Sequence, residues 1–470
     1  MSLLLEADKV VIWSSRRWRY ILAAICCVLL IGAVMAWHLV SLFLAEPTIK
    51  VDYLAEYNRI TKPDDYDFTR NAAPHYEKLF SEVTALPESL KTRHKAWPTE
   101  LEDSEIDALQ TWAAANNSAL GSMGKAAQCP YWWVERESSD GSMAGIGMPH
   151  VAEQREFSWG VVLLAKYKAS RGETEGALRY LADLHMTGMH RVRGNTLVEQ
   201  CVGLAVCELT YEAVRAVLSK CDVPLGEVVR MREILASRIP QIEVPRFTRG
   251  EFLYALDAIQ RGFTDETGRD GRLIPKYLYN IRKDGGLYIA PLSYPEAVWV
   301  CLNHPGRKET LQAYQVFYEK LKELASKPPW ELHARSTTCT DELSTVVEGN
   351  FFFQDGVQTF DAVIEVGWRG RTHGEATEAI LAILAYRGRT GHFPDSLAEL
   401  VAEADLEGVP IDPYCGKPLV YKIAGEDFAL YSVGADFFDN GGLTSSWSWF
   451  EAGEVGDYVF WPVQDAARNL

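Results

Sequence analysis

The chain is predicted to be mainly α-helical, with an N-terminal transmembrane helix, an extracytoplasmic body of stacked helical hairpins and a small C-terminal α+β domain. Three observations predict this. Residues Tyr20 to Ala45 carry no formal charge and are mostly apolar. Between Val151 and Lys220 apolar residues recur at helical spacing, interrupted by glycines at short intervals. After Arg371 the pattern changes to short alternating runs between glycine- and proline-containing turns. The implied boundaries are a cytoplasmic tail over 1–19, an anchor over 20–45, a helical extracytoplasmic domain over 46–370 and an α+β domain over 371–470.

The anchor comes first. About twenty apolar residues cross a bilayer, so the stretch from 20 to 45 suffices with some tilt. Arg16, Arg17 and Arg19 precede it, and Glu46 and Lys50 follow it. Basic residues stay on the cytoplasmic side, which puts residues 1–19 inside and the bulk of the chain outside. A cleaved signal peptide is the rival reading, but its apolar core runs only about 7–15 residues and ends at a small-x-small site. Phe43-Leu44-Ala45 is a poor site of that kind. No second apolar run reaches spanning length, so a single pass is expected. The formal net charge of −17 excludes a general nucleic-acid binder, which needs a basic footprint.

The helical body follows. Residues 46 to about 150 mix short helices with prolines at 63, 74, 87 and 98. Glu153 to Ser170 reads as a helix ended by Arg171-Gly172. Thr174 is expected to cap the next helix, whose inward face holds Ala177, Leu178, Leu181 and Leu184. Gly188 lies on that same face and would let a neighbouring helix approach closely. A third helix, capped by Thr196, runs to about Lys220. Further helices are expected over 224–239, 249–263 and 309–324, with a loop over 264–272 and an irregular stretch over 346–367. A repeat of about 34 residues is absent. The 14 Trp, 21 Tyr and 18 Phe residues either fill gaps between helices or line a ligand groove.

Signatures of known chemistry are missing. There is no G-x-S-x-G, H-E-x-x-H, P-loop or dinucleotide fingerprint, and no C-x-x-C pair for structural zinc. Nine cysteines are present, seven of them beyond the anchor, with no readable pairing. His185 and His190 are five apart, on different helix faces, and read as core or surface side chains rather than ligands. The run Arg371-Thr372-His373-Gly374-Glu375 either sets a histidine beside a carboxylate or starts a helix. Glu102, Asp103, Glu105 and Asp107 read as a solvated face. Cys339 is a nucleophile in principle only, since no base is identifiable.

In the last hundred residues, Ala376 to Arg387 is expected to form a helix with Ile380, Ile383 and Leu384 inward. Gly391-His392-Phe393-Pro394 makes a corner, and Ser396 caps a short helix with Glu399 in a capping-box position. Leu419 to Ile423 and Phe428 to Ser432 form a hairpin around Gly425-Glu426-Asp427. The order of corner, short helix, Asp412-Pro413-Tyr414-Cys415-Gly416-Lys417-Pro418 turn and Tyr431-Ser432-Val433-Gly434-Ala435-Asp436 loop resembles the periplasmic domain of the major pseudopilin of type II secretion. It also resembles pseudopilin-like tails found in bacterial membrane proteins. The family more often has glycine directly after the aromatic of the turn, where Cys415 stands here.

The resemblance implies a pseudopilin-like α+β fold for 371–470 and a bacterial inner membrane with a periplasmic body. It also implies calcium in the final loop. Calcium takes about six to eight oxygen ligands. Asp436 is the matching ligand, with Ser432 or Val433 carbonyls beside it, and Asp439 and Asp457 are further oxygen donors. The other reading of Asp436, Asp439 and Asn440 is as turn residues. Leu443 to Gly453 is an insertion between those aspartates. A pseudopilin places its membrane helix directly before this domain, behind a processing motif. Here residues 46–370 intervene and that motif is missing, so fold is carried over and filament assembly is not. Two function classes follow: an interaction or scaffold module meeting envelope or secretion proteins, or an extracytoplasmic enzyme with its site in the helical domain. Missing motifs favour the first. A deep pocket of coupled titratable groups would favour the second.

Overall fold

The computed structural model describes residues 2–148, 150–238, 249–265, 270–282, 292–347, 350, 357–444 and 456–463. In chain order the helices are α1 (Ser2–Phe43), α2 (Tyr53–Thr61), α3 (Ala73–Glu82), α4 (Glu88–Lys91), α5 (Asp103–Ala115), α6 (Asn117–Ala126), α7 (Val151–Ser170), α8 (Thr174–Val192) and α9 (Leu197–Lys220). They continue as α10 (Leu225–Ala236), α11 (Arg249–Gly262), α12 (Pro275–Arg282), α13 (Tyr294–Asn303), α14 (Arg307–Ala325), α15 (Pro329–Ala334), α16 (Cys339–Val346), α17 (Val357–Thr390) and α18 (Leu397–Ala402). Three strands close the chain: β1 (Val420–Ala424), β2 (Asp427–Ser432) and β3 (Tyr458–Trp461). The chain is therefore mainly helical, with one small antiparallel sheet near its C-terminus. It divides into two compact units, Met1–Val51 with Ala258–Ala313 and Gly349–Asp355, and Asp52–Asp257 with Tyr314–Glu348 and Gly356–Leu470.

In the first unit, α1 is the one helix among the described residues long and apolar enough to cross a membrane, over the 26 residues Trp18–Phe43. Every side chain from Trp18 to Trp37 is exposed. Beyond α1, buried Gln260 donates to the Val51 carbonyl at 2.8 Å. The stretch read as a loop over 264–272 is tied at its ends: Phe263 and Leu273 form an antiparallel bridge, and Thr264 N–H donates to Arg272 O at 2.9 Å. Residues 266–269 lie outside the described residues. The apolar runs within 275–282 and 294–303 are helical, as α12 and α13.

In the second unit, α7, α8 and α9 form the centre of the main core. Gly172 ends α7 with φ +85°, a conformation that favours glycine. Glu173 N–H reaches back to Lys168 O and Gly172 N–H to Ala169 O, both at 2.9 Å, which satisfies the last carbonyls of the helix. Thr174, expected as the cap of the next helix, is its first residue instead. Thr196 does cap α9, accepting from Glu199 N–H at 3.2 Å. Helices α8 and α9 meet at Gly188 and Gly203. A Cβ on Gly203 would lie 2.4 Å from the Val192 nitrogen and 2.6 Å from the Gly188 oxygen.

The irregular reading of 346–367 gives way to helix from Val357, and α17 runs unbroken through position 371 to Thr390. Gly367, Gly370 and Gly374 lie within this helix. At Gly370 the missing side chain serves an approach to α9, because a Cβ there would meet Leu204 Cδ2 at 3.0 Å. The Phe351-Phe352-Phe353 cluster lies outside the described residues. α17 faces two cores at once. Leu381 and Ala385 join the helical core, whereas Ala376, Ile380, Ile383 and Tyr386 pack under the sheet with Phe428, Leu430, Phe460 and Trp461.

The sheet has the order β1-β2-β3, with Val420 opposite Tyr431 and Ile423 opposite Phe428. The first two strands are the expected hairpin. The third was not foreseen: its four residues pair with β2 through a register shift at Leu430/Tyr431. Much of the insertion after Leu443, residues 445–455, lies outside the described residues.

The Gly203 crossing yields a test. Gly203→Ala should lower the melting temperature of the detergent-solubilised protein, with a loss of about 1–3 kcal/mol from overpacking against backbone that has no room to give. Gly176→Ala in α8, where a Cβ meets nothing within 4 Å, serves as the control and should be neutral or slightly stabilising.

Candidate functional site

The two family-like motifs of the tail turn out to be halves of one hydrogen-bonded assembly. Asp412 is fully buried. Its Oδ1 accepts from Tyr414 N–H at 3.0 Å and Ser432 Oγ–H at 2.9 Å, and its Oδ2 accepts from Val433 N–H at 2.8 Å. Ser432 Oγ in turn accepts from Gly434 N–H at 3.1 Å. Burial pushes the Asp412 carboxyl up, and these hydrogen bonds oppose the shift. Gly416 holds φ +69°, and a Cβ there would lie 2.8 Å from the Trp330 indole. Trp330 N–H donates to Pro413 O at 3.0 Å, so the turn seats a tryptophan as well as the loop.

Asp436, Asp439 and Asp457 surround the 438–442 bend. Asp436 accepts from Phe438 N–H at 3.0 Å, Asn440 Nδ2 at 2.8 Å and Gly456 N–H at 3.0 Å. Asp439 accepts from Tyr431 O–H at 3.0 Å and Gly441 N–H at 2.8 Å. Asp457, fully buried, accepts from Asn440 N–H at 3.0 Å and from Gly442 N–H. Burial pushes the Asp457 carboxyl up, and the charges of Asp439 and Asp436 push the same way. These carboxylates face N–H donors, whose positive ends oppose a cation. Among the described residues no three His, Cys, Asp or Glu side chains converge on a point where a metal ion would sit. In this arrangement the three aspartates do not fit calcium, and each acts as an acceptor that shapes a glycine-rich bend.

A second polar assembly lies between α9 and α17. Glu208 Oε1 stands 3.3 Å from Arg369 Nε and 3.3 Å from His373 Nε2. Arg215 donates to Thr377 Oγ1 at 2.6 Å, and its Nη2 reaches His373 Nδ1 at 3.4 Å. A guanidinium only donates, so Nδ1 is the acceptor and the ring proton sits on Nε2, facing Glu208. Burial, then the charges of Arg215 and Arg369, hold His373 well below its ordinary range, so it is neutral. A histidine beside a carboxylate is thus present, but the carboxylate is Glu208. Glu375 accepts from Arg371 at 2.7 Å instead.

The remaining candidates are structural. His190 donates from Nε2 to Cys129 O at 2.9 Å and accepts at Nδ1 from Tyr76 O–H at 2.8 Å. His185 Nε2 lies 2.9 Å from Tyr211 Oη. Burial pushes these rings down to about 4 and about 3, respectively. The Cys339 thiol is pushed up to about 12, chiefly by burial, which removes the nucleophilic thiolate. None of the nine cysteines is in a disulfide. Asp103 and Glu105 sit in the first turn of α5, where the helix dipole favours them, and Glu105 accepts from Glu102 N–H at 2.9 Å.

Open space with chemistry on its walls lies elsewhere, in a cleft of about 470 Å³. One face of α17 contributes Trp368, Arg371, Thr372, Glu375 and Glu378, the three- and four-residue spacing of a single helical stripe. Trp330 comes from α15, and the loop from Leu406 to Pro413 closes the far side with Glu407. The Arg371 guanidinium lies 5.9 Å from the Trp368 ring. Glu378 is pushed up to about 7, first by burial and then by the charges of Glu375 and Glu407, against Arg232. The Trp368 indole N–H is buried and has no hydrogen-bond acceptor among the described residues. Sequence reasoning missed this site. The three- and four-residue spacing of Trp368, Arg371, Thr372, Glu375 and Glu378 was its local signal. Neither a protein-family model, nor a curated protein, nor a solved structure matches the chain.

Two outcomes follow from this geometry. Asp412→Ala leaves the Tyr414, Val433 and Ser432 donors without their acceptor and should cost about 3 kcal/mol or more in a denaturant melt. Glu378 gives a pH effect. Its folded value, about 7, lies above the ordinary 4.5, so the folded chain binds more protons across that window and its stability falls as pH rises from 4.5 to 7. Glu378→Gln should match the wild type near pH 4 and melt at a higher temperature near pH 8. Identical pH profiles for the two proteins would refute the shift.

Proposed function

We propose that this protein is a single-pass, membrane-anchored ligand-binding module of the bacterial inner membrane, with residues 1–19 in the cytoplasm and its body in the periplasm. Its ligand is an organic cation taken by the α17 cleft. The apolar run of α1 and the arginines before it support the anchoring. The stacked α7–α9 arrangement is read as helical hairpins. The tail is read as a pseudopilin-like domain, a reading supported by the way Asp412 binds the Ser432-Val433 loop. Envelope proteins are the partners that such a tail would meet.

One observation carries the ligand class. The cleft sets three carboxylates, Glu375, Glu378 and Glu407, against one guanidinium, Arg371, with Trp330 and Trp368 also in its lining. Indole faces attract cations, and the desolvated carboxylates supply the compensating charge. The cleft of about 470 Å³ is large enough for an amine or a quaternary ammonium group.

Calorimetric titration of the detergent-solubilised protein with 1,4-diaminobutane and with tetramethylammonium tests this reading. Glu378 is roughly a tenth ionised at pH 6 and roughly nine tenths at pH 8, so affinity for the diamine should rise roughly tenfold between them, with proton release. Glu378→Gln should abolish the pH dependence, and Trp330→Ala should weaken binding about tenfold. Binding of neutral sugars alone, or no heat with either cation, rules the reading out. A second reading, hydrolysis with Glu378 as general acid, is favoured by that group's proximity to neutral pH and its coupling to two carboxylates. Turnover of a cleft-bound substrate that is lost in Glu378→Gln distinguishes it from binding alone.

A further inference from the structure

Helix α13 exposes more apolar than polar surface: beside Glu296 and Asn303 it leaves Pro295, Trp299 and Leu302 uncovered. Its inward side buries Ala297, Val300 and Cys301. Its outward side presents Pro295, Trp299 and Leu302, spaced i, i+4 and i+7, with Trp299 68% and Leu302 53% exposed. The only formal charge in the helix is Glu296. That carboxylate is turned back onto the helix start, accepting from Ser293 N–H at 2.8 Å and Ser293 Oγ–H at 2.6 Å. An exposed stripe that includes a tryptophan and a leucine marks a side that is covered by a partner or a bilayer.

Its position says what covers it. Tyr294, the first residue of α13, stacks on Phe43, the last residue of α1, with ring centroids 5.3 Å apart. Tyr279 of α12 meets the same Tyr294 ring edge-on at 5.2 Å. Just past the span, Glu46 pairs with Lys276 of α12 at 3.1 Å. The 26 residues Trp18–Phe43 rise about 39 Å, more than the roughly 30 Å of a hydrocarbon core. On a spanning α1 this length carries Phe43 to the headgroup layer, where the Phe43–Tyr294–Tyr279 cluster would lie at the depth at which aromatic residues gather.

We infer that α13 lies on the outer leaflet as an interfacial foot, with Trp299 and Leu302 inserted among the lipids beside the anchor. The bilayer is the occupant because the exposed apolar side of α13 continues, through the Phe43–Tyr294 contact, from the exposed apolar surface of α1. This inference rests on α1 spanning the membrane and is independent of the cleft.

The test uses the full-length protein in phosphatidylethanolamine/phosphatidylglycerol vesicles containing a lipid with a diazirine near its carbonyl group. After irradiation, adducts are mapped by mass spectrometry. Adducts are expected on α1 and on Trp299 and Leu302 of α13. Adducts on α1 with none on α13 overturn the foot and leave the anchor standing. Absence of adducts from α1 overturns both. The double variant Trp299→Glu, Leu302→Glu should lose the α13 adducts, keep those on α1 and keep a cooperative melt. Retention of α13 labelling in that variant also overturns the inference.

Discussion

Glu208 is a carboxylate 9% exposed, placed between Arg369 and His373 of another helix, and much of the second unit follows from that placement. An ionised carboxylate in such a site is stable only with partners around it. Removing one partner of a buried pair costs about 3–5 kcal/mol, whereas the intact pair adds little over an apolar replacement. The assembly therefore acts on register. With Gly370 against Leu204 and Arg215 against Thr377, it sets the rotation of α17 on α9. One turn of slip would leave Glu208, Arg215 and Arg369 buried without their partners.

Once α17 is held in that rotation, its other surfaces have assigned tasks. Ile380, Ile383 and Tyr386 meet the sheet, Leu381 and Ala385 meet the helical core, and Trp368, Glu375 and Glu378 are left facing the cleft. The opposite wall of the cleft depends on Asp412. By binding Ser432 and Val433 it fastens the 410–418 turn to the end of β2, and the same turn carries Pro413, whose carbonyl holds the Trp330 amide. The elevated carboxyl of Glu378 is a product of burial first, to which Glu375 on the helix side and Glu407 on the turn side add their charges.

Particular residues show how far the sequence reached. Gly172, Thr196 and Ser396 act as helix punctuation where local chemistry predicts it, because a left-handed turn or an N-cap needs only the neighbouring few residues. The β1–β2 hairpin was legible for the same reason. The start of α17 was not: the stretch before 367 reads as irregular, and the approach of Gly370 to Leu204 of α9 is visible only in three dimensions. Strand β3 was missed because a four-residue strand after a long insertion carries almost no periodic signal. Asp436, Asp439 and Asp457 were picked as oxygen donors for a cation, but which atoms their oxygens face is a matter of three-dimensional geometry, and here they face N–H and O–H donors.

What this sequence settles alone is what depends on short-range pattern. The uncharged stretch from 20 to 45 gives a span-length helix, the helical spacing from 151 to 220 gives a layered α-helical body, and the turn residues after 390 give a small sheet. The cleft and the Glu208 assembly belong to the tertiary structure. Each joins residues far apart in the chain, Trp330 with Glu407 and Glu208 with His373, and the energy of a buried charge or the walls of a cleft exist only after those segments meet.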